Sequence, residues 1–310
     1  MGAQNSKHGK VLPVIESSDS KAHEQFQYLL GRRFHNVTDI IYDLPNDEDE
    51  VDRLHLEHFL TRDVWKSNFS SPIAHQLETG LKVLDVTFRD STNVLYLQIN
   101  YDKSSFVGID ISPIFPMEIK PGNVKFNETN ILDGIPHPDE SFDFRYMFPS
   151  FTQMQWEEIV INEIVRVVKI DGWLELCEYE LCQNCGPVLE SLLSARREMF
   201  IKEGRNPDVA QLLGKLMKET QHFDDIYHKT KEVPIGPWAG KIGEVGRDNI
   251  ITRMIGIKPA LSRFMNITSE QYDEMMQKSI KEFNEYKAYF VTSRCTIDFL
   301  TEEIPRTADK

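Results

Sequence analysis

Asp85 and Asp110 are the residues whose type and spacing first imply chemistry. Each stands at the end of a short apolar run, Lys82-Val-Leu-Asp-Val86 and Phe106-Val-Gly-Ile-Asp-Ile-Ser112, and they are 25 positions apart. The runs have the β-branched, continuously apolar character of strands buried on both faces of a parallel sheet. An acidic residue closing the second such strand is placed to accept hydrogen bonds from the two hydroxyls of a nucleoside ribose. The intervening stretch is long enough for one helix, and a right-handed crossover is the common way to join parallel neighbours. The pair therefore reads as the opening βαβ unit of a nucleoside-binding sheet.

Where a ligand approaches backbone, the turn after the first strand is usually rich in glycine, which has no Cβ to obstruct it. Here the turn is Thr87-Phe-Arg-Asp-Ser-Thr92, without a glycine. The frame of a cofactor site is present and its floor is altered.

The elements needed to position such a site follow in order. Residues 1–24 are polar and read as a flexible arm, and 25–310 as one domain. Asp47 to Asp49 can cap a helix carrying Val51, Leu54, His58 and Phe59 along one face. Val124–Phe126 and Phe142–Met147 read as a third and fourth strand, Gln155–Val168 as an amphipathic helix ended by Asp171-Gly172, and Trp173–Cys177 as a fifth strand. This alternation implies an α/β fold: a Rossmann-like, doubly wound, mainly parallel sheet of seven strands, with helical additions at the N-terminus and after strand five. A helical insertion is expected over about 187–265. It includes Pro187–Phe200 with a stop at Gly204, a helix around Val209–Leu216, and a glycine-rich loop over 234–246. Thr268-x-x-Gln271 is a capping box, and Tyr289–Phe299 closes the sheet as paired strands.

The ordered motifs resemble those of class I S-adenosylmethionine-dependent methyltransferases. They are Lys82-Val-Leu-Asp-Val, Phe106-Val-Gly-Ile-Asp-Ile-Ser, Asn130-Ile-Leu-Asp-Gly-Ile-Pro, Ser141-Phe-Asp-Phe and Gly172-Trp-Leu-Glu-Leu. The lead-in Tyr42-x-Leu-Pro-Asn-Asp47, with Glu50, Asp52-Arg-Leu54 and His58, is similar to the fungal group related to the velvet-complex regulators of secondary metabolism. The resemblance spans about residues 31–300. It implies S-adenosyl-L-methionine as cofactor, with Asp85 under its methionine end, Asp110 on the ribose, Ile111 against the adenine, and Asn130 and Ile131 along the adenine edge. It places Tyr42 and His58 on the lid or substrate side, as candidates for a catalytic role.

Two departures accompany it. Thr87, Arg89 and Ser91 stand where the family carries Gly-x-Gly-x-Gly, and Phe148-Pro-Ser-Phe151 replaces a longer segment after the fourth strand. Two function classes stay open: an enzyme that methylates a small molecule or protein side chain, or an inactive pseudo-methyltransferase acting as a regulatory or binding protein. Methyl transfer from a sulfonium needs no metal and mainly requires the acceptor held in line and water excluded.

Composition narrows the remaining classes. A net charge of −14, with Arg32-Arg33 and Arg196-Arg197 the only arginine pairs, argues against a nucleic-acid partner. Four cysteines make no disulfide framework, and without a secretory apolar stretch an intracellular, cytoplasmic compartment is expected. Cys177-x4-Cys182-x2-Cys185 has the spacing of an iron–sulfur site, but thiols in a strand and a loop are the preferred reading, and no metal is expected. No run of 18 apolar residues spans a bilayer. Met1-Gly2-Ala-Gln-Asn-Ser6 fits a myristoylation signal at Gly2, and that acyl chain would give weak, reversible membrane association.

Overall fold

The computed structural model describes residues 26–36, 42–86, 97, 99–111, 122–147, 157–180, 182–220 and 223–299. Gly2, the arm over 1–24, the turn residues Thr87, Arg89 and Ser91, and the 148–151 segment lie outside them.

A hairpin opens the described chain: β1 (Phe26–Leu29) pairs antiparallel with β2 (Arg32–His35). Helix α1 (Glu48–Trp65) follows, and Asp47 caps it as expected, its carboxylate accepting from the Glu50 N–H at 3.1 Å. Phe59 departs from the expected apolar face and is half exposed. Helix α2 (Ala74–Thr79) leads into β3 (Lys82–Val86), then β4 (Ser105–Asp110), β5 (Val124–Glu128) and β6 (Phe142–Met147). Helix α3 (Glu157–Val167) runs directly into β7 (Val168–Tyr179). The Asp171-Gly172 pair therefore does not stop a helix. It bends the start of a strand, with Asp171 at φ 63° and a register shift against β6.

Beyond β7 come α4 (Pro187–Lys202), α5 (Val209–Glu219), β8 (Phe223–Pro234), α6 (Lys241–Met265), α7 (Ser269–Glu285) and β9 (Tyr289–Phe299). Two expectations change here. The 187–265 span holds a strand, β8, which pairs antiparallel with the single long strand β9. The glycines after 240 lie in α6, not in a loop. Gly243 lets that helix press onto the preceding turn, where an added Cβ would meet the Gly236 carbonyl oxygen at 2.0 Å. The Thr268–Gln271 capping box forms in both directions.

Among the described residues the main sheet has seven strands in the order β5-β4-β3-β6-β7-β9-β8, all parallel except β9, which is antiparallel to both neighbours. It is the mainly parallel, doubly wound α/β architecture expected. One face buries Leu84, Ile109 and Leu174 beneath α3 and α5. The other buries Val83, Phe106 and Phe144 against Leu77 of α2. Under α1 that second face turns polar: Glu175 accepts from the Ser70 and Ser71 N–H groups at 2.7 and 2.9 Å and pairs with Arg294 at 3.6 Å. A separate apolar cluster joins α4, α6 and α7 beyond the end of β7. No helix among the described residues is long and apolar enough to cross a membrane.

Candidate functional site

In open α/β sheets, ligands bind in the crevice outside the carboxyl ends of the parallel strands. Asp85 and Asp110 lie at that edge, 3% and 8% exposed. Asp85 is opposite Gly108 in the β3–β4 ladder, and Asp110 is two residues further along β4 on the same face. Gly108 places no side chain on β4 between them.

The adenine-side candidates come to the same place through backbone bonding. The Thr129 N–H donates to the Asp110 carbonyl at 2.8 Å, carrying the chain from β5 back to the end of β4. The Asn130 side-chain oxygen then accepts from the Leu132 N–H at 3.0 Å and caps the short turn Ile131–Asp133. That bond leaves the Asn130 amide hydrogens as donors. Ile131 is buried in the core beneath, whereas Ile111, just past β4, is half-buried. The structure thus brings Asp85, Asp110, Ile111, Asn130 and Ile131 to one edge of three adjacent strands.

Behind Asp85 lies Arg145 on β6, with no exposed surface. Burial holds its guanidinium well below the ordinary arginine range, while attraction from Asp85 acts the other way. Asp85 therefore stabilises a buried cation as well as standing at the strand end.

The two substrate-side candidates sit in separate surroundings. Tyr42 lies edge-on to His35, with ring centroids 5.9 Å apart, in a groove beneath the β1–β2 hairpin. His58 is buried on α1, where burial, helped by Arg62, Arg294 and His55, pushes its imidazole down to about 4. It is neutral at physiological pH. Trp238 donates its ring N–H to the Ile235 carbonyl at 3.2 Å, an anchor for its own turn.

A cavity on the same edge escaped the sequence reading. Since β7 is parallel to β6, its last residues, Glu178 and Tyr179, stand at the carboxyl edge. Together with α1, α4 and α6 they enclose a space of about 40 Å³ that opens outward. Its polar frame is a charged lattice between helices. Arg53 of α1 is fully buried between Glu50 and Glu57, at 2.8 and 2.9 Å. Burial opposes its charge, but the two carboxylates hold it above the ordinary arginine range. Glu57 also pairs with Arg253 of α6, and the Asn249 amide donates to the Arg53 carbonyl at 2.9 Å. Thr61 shares a hydrogen bond with the Tyr179 hydroxyl.

Into this space comes Arg196 of α4, which the sequence reading treats only as half of an arginine pair. Its spacing did carry a signal. Leu192, Arg196 and Phe200 are four residues apart, so an arginine interrupts the apolar stripe of a helix.

Residues 84–176 match the methyltransferase domain family. Methyltransferase pytC of Aspergillus terreus is 28% identical over 239 residues, covering 72% of this chain and 69% of that protein. The secondary metabolism regulator laeA of Aspergillus fumigatus is 24% identical over 241 residues, covering 74% and 64%. Among solved structures, Haemonchus contortus phosphoethanolamine N-methyltransferase 2 in complex with S-adenosyl-L-methionine aligns over 86% of this chain and 62% of that one. Its TM-score is 0.48 at 14% identity.

Proposed function

We propose that the chain, which belongs to the class I S-adenosylmethionine-dependent methyltransferases, moves a methyl group from that cofactor to a small molecule or a protein side chain. The observation that carries this reading is the pair of buried carboxylates at the ends of β3 and β4, with glycine opposite the first. The donor set fits the cofactor. Two acceptor-only carboxylates suit amino and hydroxyl donors, and the Asn130 amide suits the acceptor nitrogens of a purine edge.

In this reading Asp110 accepts from the ribose hydroxyls, and Asp85 lies beneath the methionine end. Ile111 and Ile131 supply apolar contact for the adenine, and Asn130 hydrogen-bonds along its edge. Bound there, the cofactor supplies a methyl group already activated by its sulfonium. The chain's part is to orient the acceptor and exclude water. The helices beyond β7 provide the cover, consistent with a domain over 25–310 whose 187–265 segment forms the substrate side. Tyr42 and His58 then serve that side through packing, since His58 holds no proton to give near neutral pH.

The glycine-free sequence Thr87, Arg89 and Ser91 favours a second reading, a regulatory or binding protein that has kept the sheet and lost the cofactor. Turnover separates the two. The chain is incubated with methyl-labelled S-adenosylmethionine and host extract divided into small-molecule and protein pools. Label entering one pool, with release of S-adenosylhomocysteine, supports the enzyme and tells the acceptor classes apart. A chain that binds neither cofactor form and labels neither pool contradicts it.

A further inference from the structure

The cavity at the end of β7 holds a cation whose neighbours are all committed elsewhere. Arg196 makes no hydrogen bond or ion pair to any described residue, and its Nε is buried without a partner. Glu57 is taken by Arg53 and Arg253, Asp43 is taken by Arg205, and one Glu178 oxygen accepts from the Tyr179 N–H. Asp43 and Glu178 attract Arg196 only from beyond ion-pair distance, while Arg253 and Arg205 repel it. Burial comes first among the effects that push its guanidinium down to about 9. What steadies it is the face of Phe200, 4.4 Å from the guanidinium carbon.

A structural arginine is ordinarily satisfied by carboxylates or carbonyls when it leaves water. Arg196 is half-buried: its Nε is shut in without a partner, the side chain is fixed by α4 and the Phe200 ring, and it lines a space that it shares with Leu193, Met254 and Phe290. The volume of about 40 Å³ is room for roughly three waters, the size of a small planar head group. A guanidinium presents parallel N–H donors that match a carboxylate bidentately. Glu57, Glu178 and Glu180, with Arg197 and Arg253, line the same space, and each is already partnered, so Arg196 is the fork left for a carboxylate beside the apolar residues.

We propose that Arg196 anchors the carboxylate of a small apolar or aromatic acid in this cavity, and that the acid is the methyl acceptor: a nucleophilic atom elsewhere on it would form the new bond to the methyl carbon as the methyl–sulfur bond breaks, with S-adenosylhomocysteine leaving. The acceptor role rests on the methyltransferase reading, since cavity and cofactor residues share the carboxyl edge of the sheet. The carboxylate contact itself does not.

The probes are benzoate and its neutral isostere benzamide, titrated calorimetrically into the full chain and into Arg196→Gln and Arg196→Lys. Benzoate is expected to bind the wild type at least tenfold more tightly than benzamide. Arg196→Gln removes that preference, and Arg196→Lys keeps part of it. S-Adenosylhomocysteine is titrated in parallel and should bind all three proteins alike. Loss of that binding in the wild type would sink the methyltransferase reading while leaving the benzoate contrast to stand or fall alone. Should Arg196→Gln fail to fold, phenylglyoxal labelling of the wild type replaces it, with the adduct located by mass spectrometry. Benzoate, and not benzamide, should suppress labelling at Arg196. Equal binding of the two probes, equal protection by them, no benzoate binding at tens of millimolar, or undiminished benzoate binding by Arg196→Gln overturns the proposal.

Discussion

Asp85 and Asp110 project from the same face of two adjacent parallel strands, and the residue of β4 opposite Asp85 is Gly108. The two carboxylates are not equivalent. Asp85 also acts on the buried Arg145, so replacing it disturbs the sheet as well as any ligand. Asp110→Ala should weaken S-adenosylhomocysteine binding by about 10- to 100-fold, the worth of hydrogen bonds to a charged acceptor. Calorimetric titration of the wild type and the variant checks it.

Arg53 is the hinge of the α1–α6 contact, with both its carboxylate partners buried. Arg53→Met leaves Glu50 and Glu57 without their shared cation, although Glu57 retains Arg253. A loss of about 3–5 kcal/mol is expected, because the remaining carboxylates stay desolvated. Urea unfolding followed by tryptophan fluorescence would measure it.

Gly243 sits where α6 touches the turn before it. Gly243→Ala should destabilise by about 1–3 kcal/mol, since the 2.0 Å approach to a backbone oxygen allows no flexible neighbour to yield. Gly240→Ala is the useful contrast. Its surroundings are open, but its φ of 70° makes any loss one of backbone strain. Denaturant midpoints of the two variants, compared at equal slope, separate crowding from strain.

His58 gives stability a pH dependence of definite sign. Its folded pKa, about 4, lies below the unfolded value of 6.5. The unfolded chain therefore binds this proton first as pH falls. The contribution is present in full above about 6.5 and is lost progressively down to about 4. It reaches up to about 3 kcal/mol across that window. His58→Gln should flatten the stability profile between those limits, read as unfolding free energy against pH.

How far the sequence revealed this arrangement depended on what each segment packs against. β3 and β4 are buried on both faces, so short, largely apolar runs marked them. Asp47 and Thr268 are local capping signals, and both helices start where those residues place them. β8 was missed because it is the sheet's edge strand. Lys229, Lys231 and Glu232 are exposed, the charged pattern that blunts an edge against further pairing and hides its alternation. Gly243 and Gly246 of α6 read as loop because the close approaches that need them, to the Gly236 and Pro234 carbonyls, are tertiary. Asp85 and Asp110 were legible through strand-end position, whereas Ile111, Asn130 and Ile131 became candidates only through the resemblance of the ordered motifs. Arg196 was not legible, because what makes it unusual is the commitment of Asp43, Glu57 and Glu178, which come from three distant parts of the chain.

The central claim is that the edge formed by Asp85, Asp110 and Asn130 still receives a nucleoside cofactor, although Thr87, Arg89 and Ser91 fill the usual glycine positions. Calorimetric titration of the full chain with S-adenosylhomocysteine tests it most directly. The account predicts saturable one-to-one binding with a micromolar dissociation constant, on the order of −8 kcal/mol. No heat with the ligand at millimolar concentration would contradict it.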